Sequence, residues 1–387
     1  SGNETAGLAG TFTFTVAAGV IEDYAGNKNA EISVILKVAP PEGKPVYIER
    51  TGVCYETIQA AIINVSPNDI LHLAPGEFTI TSNIEIAQPI TILGNNSDIN
   101  PNVSGRKPES ILKSIVGENY YIDIQSSDVT IKGIKTDNVR INGYKPYFTS
   151  ISNVLIENNI FTNIQGAAIH FRDASDAIAY NSSNVNIINN LIDETDWIRD
   201  DPFDGGSGIV LWGVCDSKVS GNTVKNVYLS GIQFARDKDI TVENNTVETS
   251  NYSAIIVAQW NSGVITIKGN TLSATNRAVL YFWGFTYPDA HHPEIKVINN
   301  TIKNGPYGIQ IGYAAAGRGY NDIKNADYDF PGNTFDNITD YWLIIYSNIE
   351  ATENEFTKMN SLFSQVYGEG STAKCIHDVD PFTYVVE

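Results

Sequence analysis

The sequence predicts an all-β solenoid of short stacked strands, closed at its entrance by one short helix, and three observations predict it. The 387 residues are 42% hydrophobic with 31 glycines and 15 prolines. Their β-branched residues fall in many short runs rather than at helical spacing. An asparagine recurs at equivalent points, Asn159, Asn190, Asn222, Asn245, Asn270, Asn300, Asn333 and Asn354, at intervals of 31, 32, 23, 25, 30, 33 and 21 residues. Such a period marks a stacked array, and stacking lets a chain of this length share one continuous core.

Residues 1–39 contain two strand-like runs, Thr11–Val16 and Ile32–Lys37, around Asp23-Tyr24-Ala25-Gly26-Asn27, a composition that favours turns. The phrase GTFTFTVAAGVIEDYAGNKNAEISV resembles the closing strands of bacterial immunoglobulin-like modules found in surface proteins. Two strands cannot form a sandwich alone. The resemblance therefore implies either an upstream module or strands that dock on the next domain. The chain opens at Ser1 in mid-pattern, as expected of a piece of a longer precursor. Residues 40–54, with Pro40, Pro41, Gly43 and Pro45, read as a linker and entrance.

Residues 55–370 carry the solenoid. Ile58, Ala61, Ile62 and Val65 share one face of a short helix near Thr57–Ile63. A first coil without such a cap would leave unpaired strand edges and an open apolar interior. Strand runs Ile70–Leu73, Thr79–Ile80, Ile84–Ile86 and Ile90–Leu93 follow at once, and this phrase is similar to the N-terminal cap of the pectate-lyase-like β-helix superfamily. In each later unit a strand ends at an asparagine turn, as in NVLIENNIF, DITVENNTV and EIKVINNTI. A second strand follows, and after a loop comes a third such as AIHF, GIVL or GIQF. Three strands per coil around an asparagine turn resemble the right-handed parallel β-helix repeats. That resemblance implies a right-handed single-stranded parallel β-helix, with the asparagine amides bonded into a ladder. Residues 371–387 read as a C-terminal cap or tail.

Because strand side chains alternate, the third strands present one outward row, read as His170, Val210, Gln233, Ile256, Leu280, Gln310 and Ile344. Two residues on, a parallel row reads Arg172, Trp212, Ala235, Ala258, Phe282, Gly312 and Tyr346. The resemblance implies that this sheet and its bordering loops form a polysaccharide groove. Trp212, Trp260, Trp283, Tyr313 and Tyr346 recur near the ends of these strands, and with Gln233 and Gln310 they are the expected sugar-binding residues. Flat rings suit the apolar faces of sugars and amides their hydroxyls, although the same rings can pack beneath their own loops.

A charged cluster stands at one end of the row. His170, Arg172 and Asp173 lie beside the insertion DETDWIRDDPFDGGSG, which adds Asp196, Asp200, Asp201 and Asp204. One reading makes Arg172 and His170 the catalytic pair of a calcium-dependent lyase with these four aspartates as metal ligands. The other is a solvated acidic loop paired with Arg172. The acids lack the spacing of a known calcium loop. Neither the NTD, DD, GHG and RIK pattern of polygalacturonases nor the WIDH and RxPxxR patterns of pectate lyases is present, so no catalytic site carries over. His291-His292 reads as loop rather than metal site.

With 44 acidic and 25 basic residues the formal net charge is −19, which argues against a nucleic-acid partner. An anionic glycan meets the same repulsion unless calcium or a local basic patch intervenes, whereas a neutral glycan does not. Cys54, Cys215 and Cys375 lie several coils apart, too far to span a disulfide, and are expected free. No run of 18 or more apolar residues predicts a membrane span. The expected function is a secreted or cell-surface carbohydrate-binding or adhesion protein with a polysaccharide partner. The alternatives are a calcium-dependent polysaccharide lyase and a structural surface-layer component.

Overall fold

A computed structural model describes residues 8–145, 150–173, 182–197, 205–249, 251–258, 260–283, 292–312, 314–315, 318–319, 326–346, 353–366, 375–379 and 382–386. Three rows of parallel strands wind around one interior. The first row runs from Asp69–Leu73 to Asp327–Asp329. The second runs from Gly76–Ile80 to the first half of Thr334–Tyr346. The third runs from Ile84–Ile86 to Cys375–Val379.

Alternation puts one side chain in two into the interior, and the parallel register stacks like on like. In the first row Ile92, Ile131, Ile156, Ile187, Val219, Val242, Ile267 and Val297 form one file, every member fully buried. Each such aliphatic side chain contributes roughly 1.5–3 kcal/mol by leaving water. The β-branched residues that make the file also suit the pleated backbone.

Each coil turns from the first row to the second at a pair of residues with divided tasks. The first takes a left-handed backbone: Asn158, Asn189, Gly221, Asn244, Gly269, Asn299 and Gly332 have φ of 59°, 54°, 66°, 55°, 63°, 53° and 70°. Only Asn, Asp or Gly holds that conformation readily. The second is a buried asparagine. Asn159 donates both its backbone N–H and its Nδ2 to Oδ1 of Asn190, at 2.9 and 3.0 Å, while Nδ2 also reaches the Ile131 carbonyl at 3.0 Å. The pattern repeats through Asn190, Asn222, Asn245, Asn270 and Asn300. It ends at Asn333, whose Nδ2 donates to the carbonyls of Val297 and Phe330. Asn354 is a correction: it lies in helix α2 (Glu353–Val366) and takes no part in the ladder.

At the entrance, helix α1 (Ile58–Ile62) is capped by Thr57, whose Oγ1 accepts the Ala60 N–H at 3.1 Å, and it buries Ile58 and Ala61 on the first coil. Val46–Ile48 runs antiparallel to Asp69–Leu73, and Arg50 clamps the buried carboxylate of Asp69 at 2.6 and 2.9 Å. At the far end α2 turns Met359, Leu362, Phe363 and Val366 into the core. An excursion near residues 94–109 lies along the ladder corner. From it Asn102 donates to the Gly221 carbonyl at 3.1 Å, and Arg106 to that of Asn158 at 3.1 Å.

Gly10–Val16 and Ile32–Val38 form an antiparallel ribbon. It joins the solenoid through the Ala9 N–H on the Gly52 carbonyl at 2.8 Å, and its Phe14, Val34 and Ile35 stand exposed. Among the described residues Cys54 and Cys215 are free. No helix among them is long and apolar enough to cross a membrane.

Candidate functional site

The outward face of the third row is set by register. Its central file runs Glu85, Asp123, Asn142, His170, Val210, Gln233, Ile256, Tyr281, Gln310 and Ile344. Two expected members are corrected. Tyr281 stands where Leu280 was expected, and Trp283 follows where Phe282 was, because Ile255 pairs with Leu280 and Val257 with Phe282. Leu280 and Phe282 are fully buried core residues. The AVLY segment matches GIQF in pattern but sits one residue out of step, and one residue moves a strand's side chains to the other face.

The file changes character along the axis. Its first four positions are charged or polar, and from Val210 onward it carries aliphatic, amide and aromatic side chains. Over those later coils a second apolar cluster forms outside the solenoid. Ala235, Ile256, Ala258, Ala278 and Tyr281 make its buried floor, with half-buried Trp212, Trp283, Tyr252 and Tyr307 packed around them. Gln233 and Gln310 interrupt this face with amides, Gln310 donating to the Gly312 carbonyl at 2.9 Å and Gln233 accepting from Ser230 at 3.3 Å.

Trp212 and Trp260 stand at the edge where the third row turns into the first, and arginines cover their rings. The Arg172 guanidinium lies 5.1 Å from the centre of Trp212, and that of Arg236 lies 5.3 Å from Trp212 and 4.0 Å from Trp260. Such guanidinium–indole contacts hold both partners flat. Arg236 and Trp260 both take left-handed backbones, φ 58° and 63°, so the corner turns on two residues that would ordinarily avoid that conformation. Beside them Asp237 is completely buried. Its carboxylate accepts the Val214 N–H at 2.7 Å and the Ala235 N–H at 3.1 Å. Burial nevertheless pushes its pKa well above the usual carboxylate range.

His170 and Arg172 are half-buried neighbours on the strand Ile169–Asp173, beside Val210 and Trp212 of the next coil. Asp196 is exposed at a strand end, where its Oδ1 accepts the Trp197 N–H at 2.7 Å. Asp200, Asp201, Asp204 and Tyr313 lie outside the described residues, as does the side chain of Tyr346. Among the described residues no three acidic, histidine or cysteine side chains group as metal ligands. His292 faces Asp327 at 3.2 Å.

Sequence reasoning missed the aromatics on the opposite edge of this face, where the second row turns into the third. Trp197 and Tyr228 are 43% and 40% exposed and lie 6.4 Å apart. Tyr307 and Tyr341 lie parallel at 5.9 Å, and Arg277 covers Tyr252 at 5.2 Å. The signal was an aromatic shortly after the second strands Leu191–Asp196, Thr223–Val227 and Thr246–Thr249 and within Thr301–Ile311 and Thr334–Tyr346, hidden because insertions vary the spacing.

Residues 121–302 match the family model described as the right handed beta helix region. None of the curated proteins compared matches the chain. Among solved structures it is similar to the mannuronan C-5 epimerase AlgE4 A-module of Azotobacter vinelandii, at 14% identity over 79% of this chain and 91% of that one, with a TM-score of 0.47. It is also similar to pectate lyase Pel9A, at 13% identity over 73% of each chain and a TM-score of 0.39. PfbA, a surface adhesin of Streptococcus pneumoniae, is similar at 11% identity over 78% of this chain and 89% of that one, with a TM-score of 0.36. At these identities and scores the likenesses carry no argument about activity. By its three parallel rows, its stacked aliphatic interior and the match of residues 121–302 to the right handed beta helix model, the chain folds as an all-β parallel β-helix.

Proposed function

We propose that the chain binds a polysaccharide on the outward face of its third row, as a carbohydrate-binding or adhesion protein of the extracellular space or cell surface. The observation that carries this reading is the apolar cluster outside the solenoid. The core of a β-helix is complete without its outward side chains, so nothing in the fold calls for two tryptophans and two tyrosines around a floor of alanines. Such a floor with aromatic walls and a few amides suits a pyranose, which offers an apolar face and a hydroxyl rim. The net charge of −19 favours a neutral glycan. Trp212→Ala with Trp283→Ala is expected to weaken binding to the glycan recognised by the wild type on the order of a hundredfold, two anchors each contributing about tenfold. An unchanged affinity in the folded double variant refutes the reading. A collapse in melting temperature instead assigns the rings to stability.

A second reading has one observation behind it, the pair His170 and Arg172 facing outward on the coil next to this face. A lyase would use a basic group there to take a proton beside a uronate. Unsaturated products from pectate or alginate, with and without calcium, that vanish in Arg172→Ala would establish it. Pull-down on insoluble glycans without such products supports the binder.

A further inference from the structure

The N-terminal ribbon carries an apolar face that neither the core nor the glycan-binding face absorbs. Its strands pair Phe12 with Leu36, Phe14 with Val34 and Val16 with Ile32, and Val38 lies across from Gly10. Alternation puts all seven apolar side chains on one side. The other side carries Thr11, Thr13, Thr15, Ser33, Ile35 and Lys37, and there the hydroxyls of Thr15 and Ser33 share a hydrogen bond at 2.9 Å. Phe14, Ile32, Val34 and Leu36 are 59, 50, 57 and 48% exposed, and no member of the face joins either apolar cluster. The ribbon meets the solenoid at its base, where Leu8 bridges to Val53 and a Cβ on Gly52 would touch the Phe12 ring at 3.5 Å. Its long turn is already ordered: Asp23 Oδ1 accepts the N–H groups of Ala25 and Asn27, and Asn29 Oδ1 accepts that of Ile21. A two-stranded sheet is marginally stable at best in water by itself, so this one calls for a second layer.

We infer that this face is a self-association surface, on which a second copy of the chain lays its own ribbon to complete a four-stranded, two-layer sandwich. The inference does not depend on the glycan reading. A flat face built from one alternation set is complementary to itself under a two-fold rotation, as an isologous contact requires. Two such faces pack about 10 Å apart with their side chains interdigitated. At the exposures given, the seven side chains offer on the order of 500 Å², so a pair buries about 1,000 Å², the lower bound of a specific interface. Other occupants fit less well. Residues 1–7, SGNETAG, hold no large apolar side chain. The face has neither the indoles and amides that suit a sugar nor the lysines that would draw an acidic chain to an anionic membrane. The net charge of −19 opposes contact between copies over the rest of the surface, which leaves an uncharged apolar face as the place where they meet.

The test is sedimentation velocity of the full chain from about 1 to about 200 μM, which brackets the micromolar dissociation constant expected of so small an interface. Dimer is expected at the upper end. The constant should fall severalfold from about 0.1 to about 1 M salt, as screening shortens the reach of the repulsion between copies from ~10 to ~3 Å. Phe14→Lys with Val34→Lys charges the face and is expected to leave a monomer throughout, with the melting temperature of the solenoid unchanged. Thr13→Lys with Ile35→Lys, the adjacent cross-strand pair on the opposite side, is expected to dimerise like the wild type. It adds the same charge and the same cross-strand repulsion, and so controls for both. A wild type that stays monomeric at every concentration and salt overturns the inference. So does a dimer that survives Phe14→Lys/Val34→Lys, or one lost equally in the control. Association that weakens as salt rises overturns it as well, because charge rather than apolar burial would then hold the copies together.

Discussion

Asn245 shows how one residue type can be fixed by position. Its Oδ1 accepts the backbone N–H and Nδ2 of Asn222 at 2.9 and 3.0 Å, and its own Nδ2 donates to Asn270 and to the Val219 carbonyl. No other side chain supplies that acceptor and that donor at the same reach. Asn245→Ala leaves several buried groups unpaired and is expected to cost roughly 1–3 kcal/mol; urea unfolding measures it, and wild-type stability would show that the ladder is ornamental. Asp237 makes a second residue-scale prediction. Because burial raises its folded pKa, the native state holds the proton more tightly than the unfolded chain. Its contribution is therefore full below the ordinary value of 3.8 and is lost as pH rises through the raised one. Asn261 donates to the Ala258 carbonyl at the same kind of corner one coil on and accepts the Asp237 N–H, so an amide is accommodated in this setting. Asp237→Asn should gain melting temperature relative to wild type as pH is raised from acid to neutral, and a pH-independent difference would refute it. The ladder was legible in the sequence because its chemistry admits one residue type at a countable spacing. The slip at Leu280 was not, since either Leu280 or Tyr281 completes a plausible alternation and only backbone register chooses between them.

The two ends of the solenoid answer the same need with different elements, and they were unequally legible. The helix α1 announces itself by apolar spacing and a threonine cap. The helix α2 was read as another coil because Asn354 and Phe356 imitate the asparagine turn. What makes it a helix is the apolar spacing of Met359, Leu362, Phe363 and Val366, which closes the interior after the last described coils. Phe363→Ala is expected to lower stability by about 3 kcal/mol, and to raise hydrogen exchange first in the neighbouring strands Asp327–Asp329 and Thr334–Tyr346; uniform exchange along the chain would show that the end does not act as a plug. At the entrance the Asp69 carboxylate is held below its ordinary pKa, chiefly by its bonds to Arg50. Its stabilising contribution is present above 3.8 and lost as pH falls through the lowered folded value. Asp69→Asn should therefore be less stable than wild type at neutral pH and converge with it in acid. The excursion that sends Asn102 and Arg106 along the ladder had no sequence signal, because its contacts span between 52 and 119 residues.

Over the whole molecule, charge and face are segregated, and this separates the glycan classes experimentally. The chain carries −19, yet from Val210 to Ile344 the central file of the third row has no ionised residue. A neutral glycan arriving there displaces no counterions and feels the acidic remainder only weakly, so its affinity should stay flat as salt is raised. An anionic glycan would meet the field of the whole molecule, and salt would shorten the reach of that repulsion from ~10 Å at 0.1 M to ~3 Å at 1 M. Its dissociation constant should then fall as salt rises. The arginines held against Trp212 and Trp260 give a third outcome with the opposite sign. Were they the principal contacts to a carboxylate, salt would weaken binding by screening that attraction. Titration of the same glycan across this salt range distinguishes the three signs in one series. A flat response supports the neutral ligand, and a tenfold change in either direction refutes it.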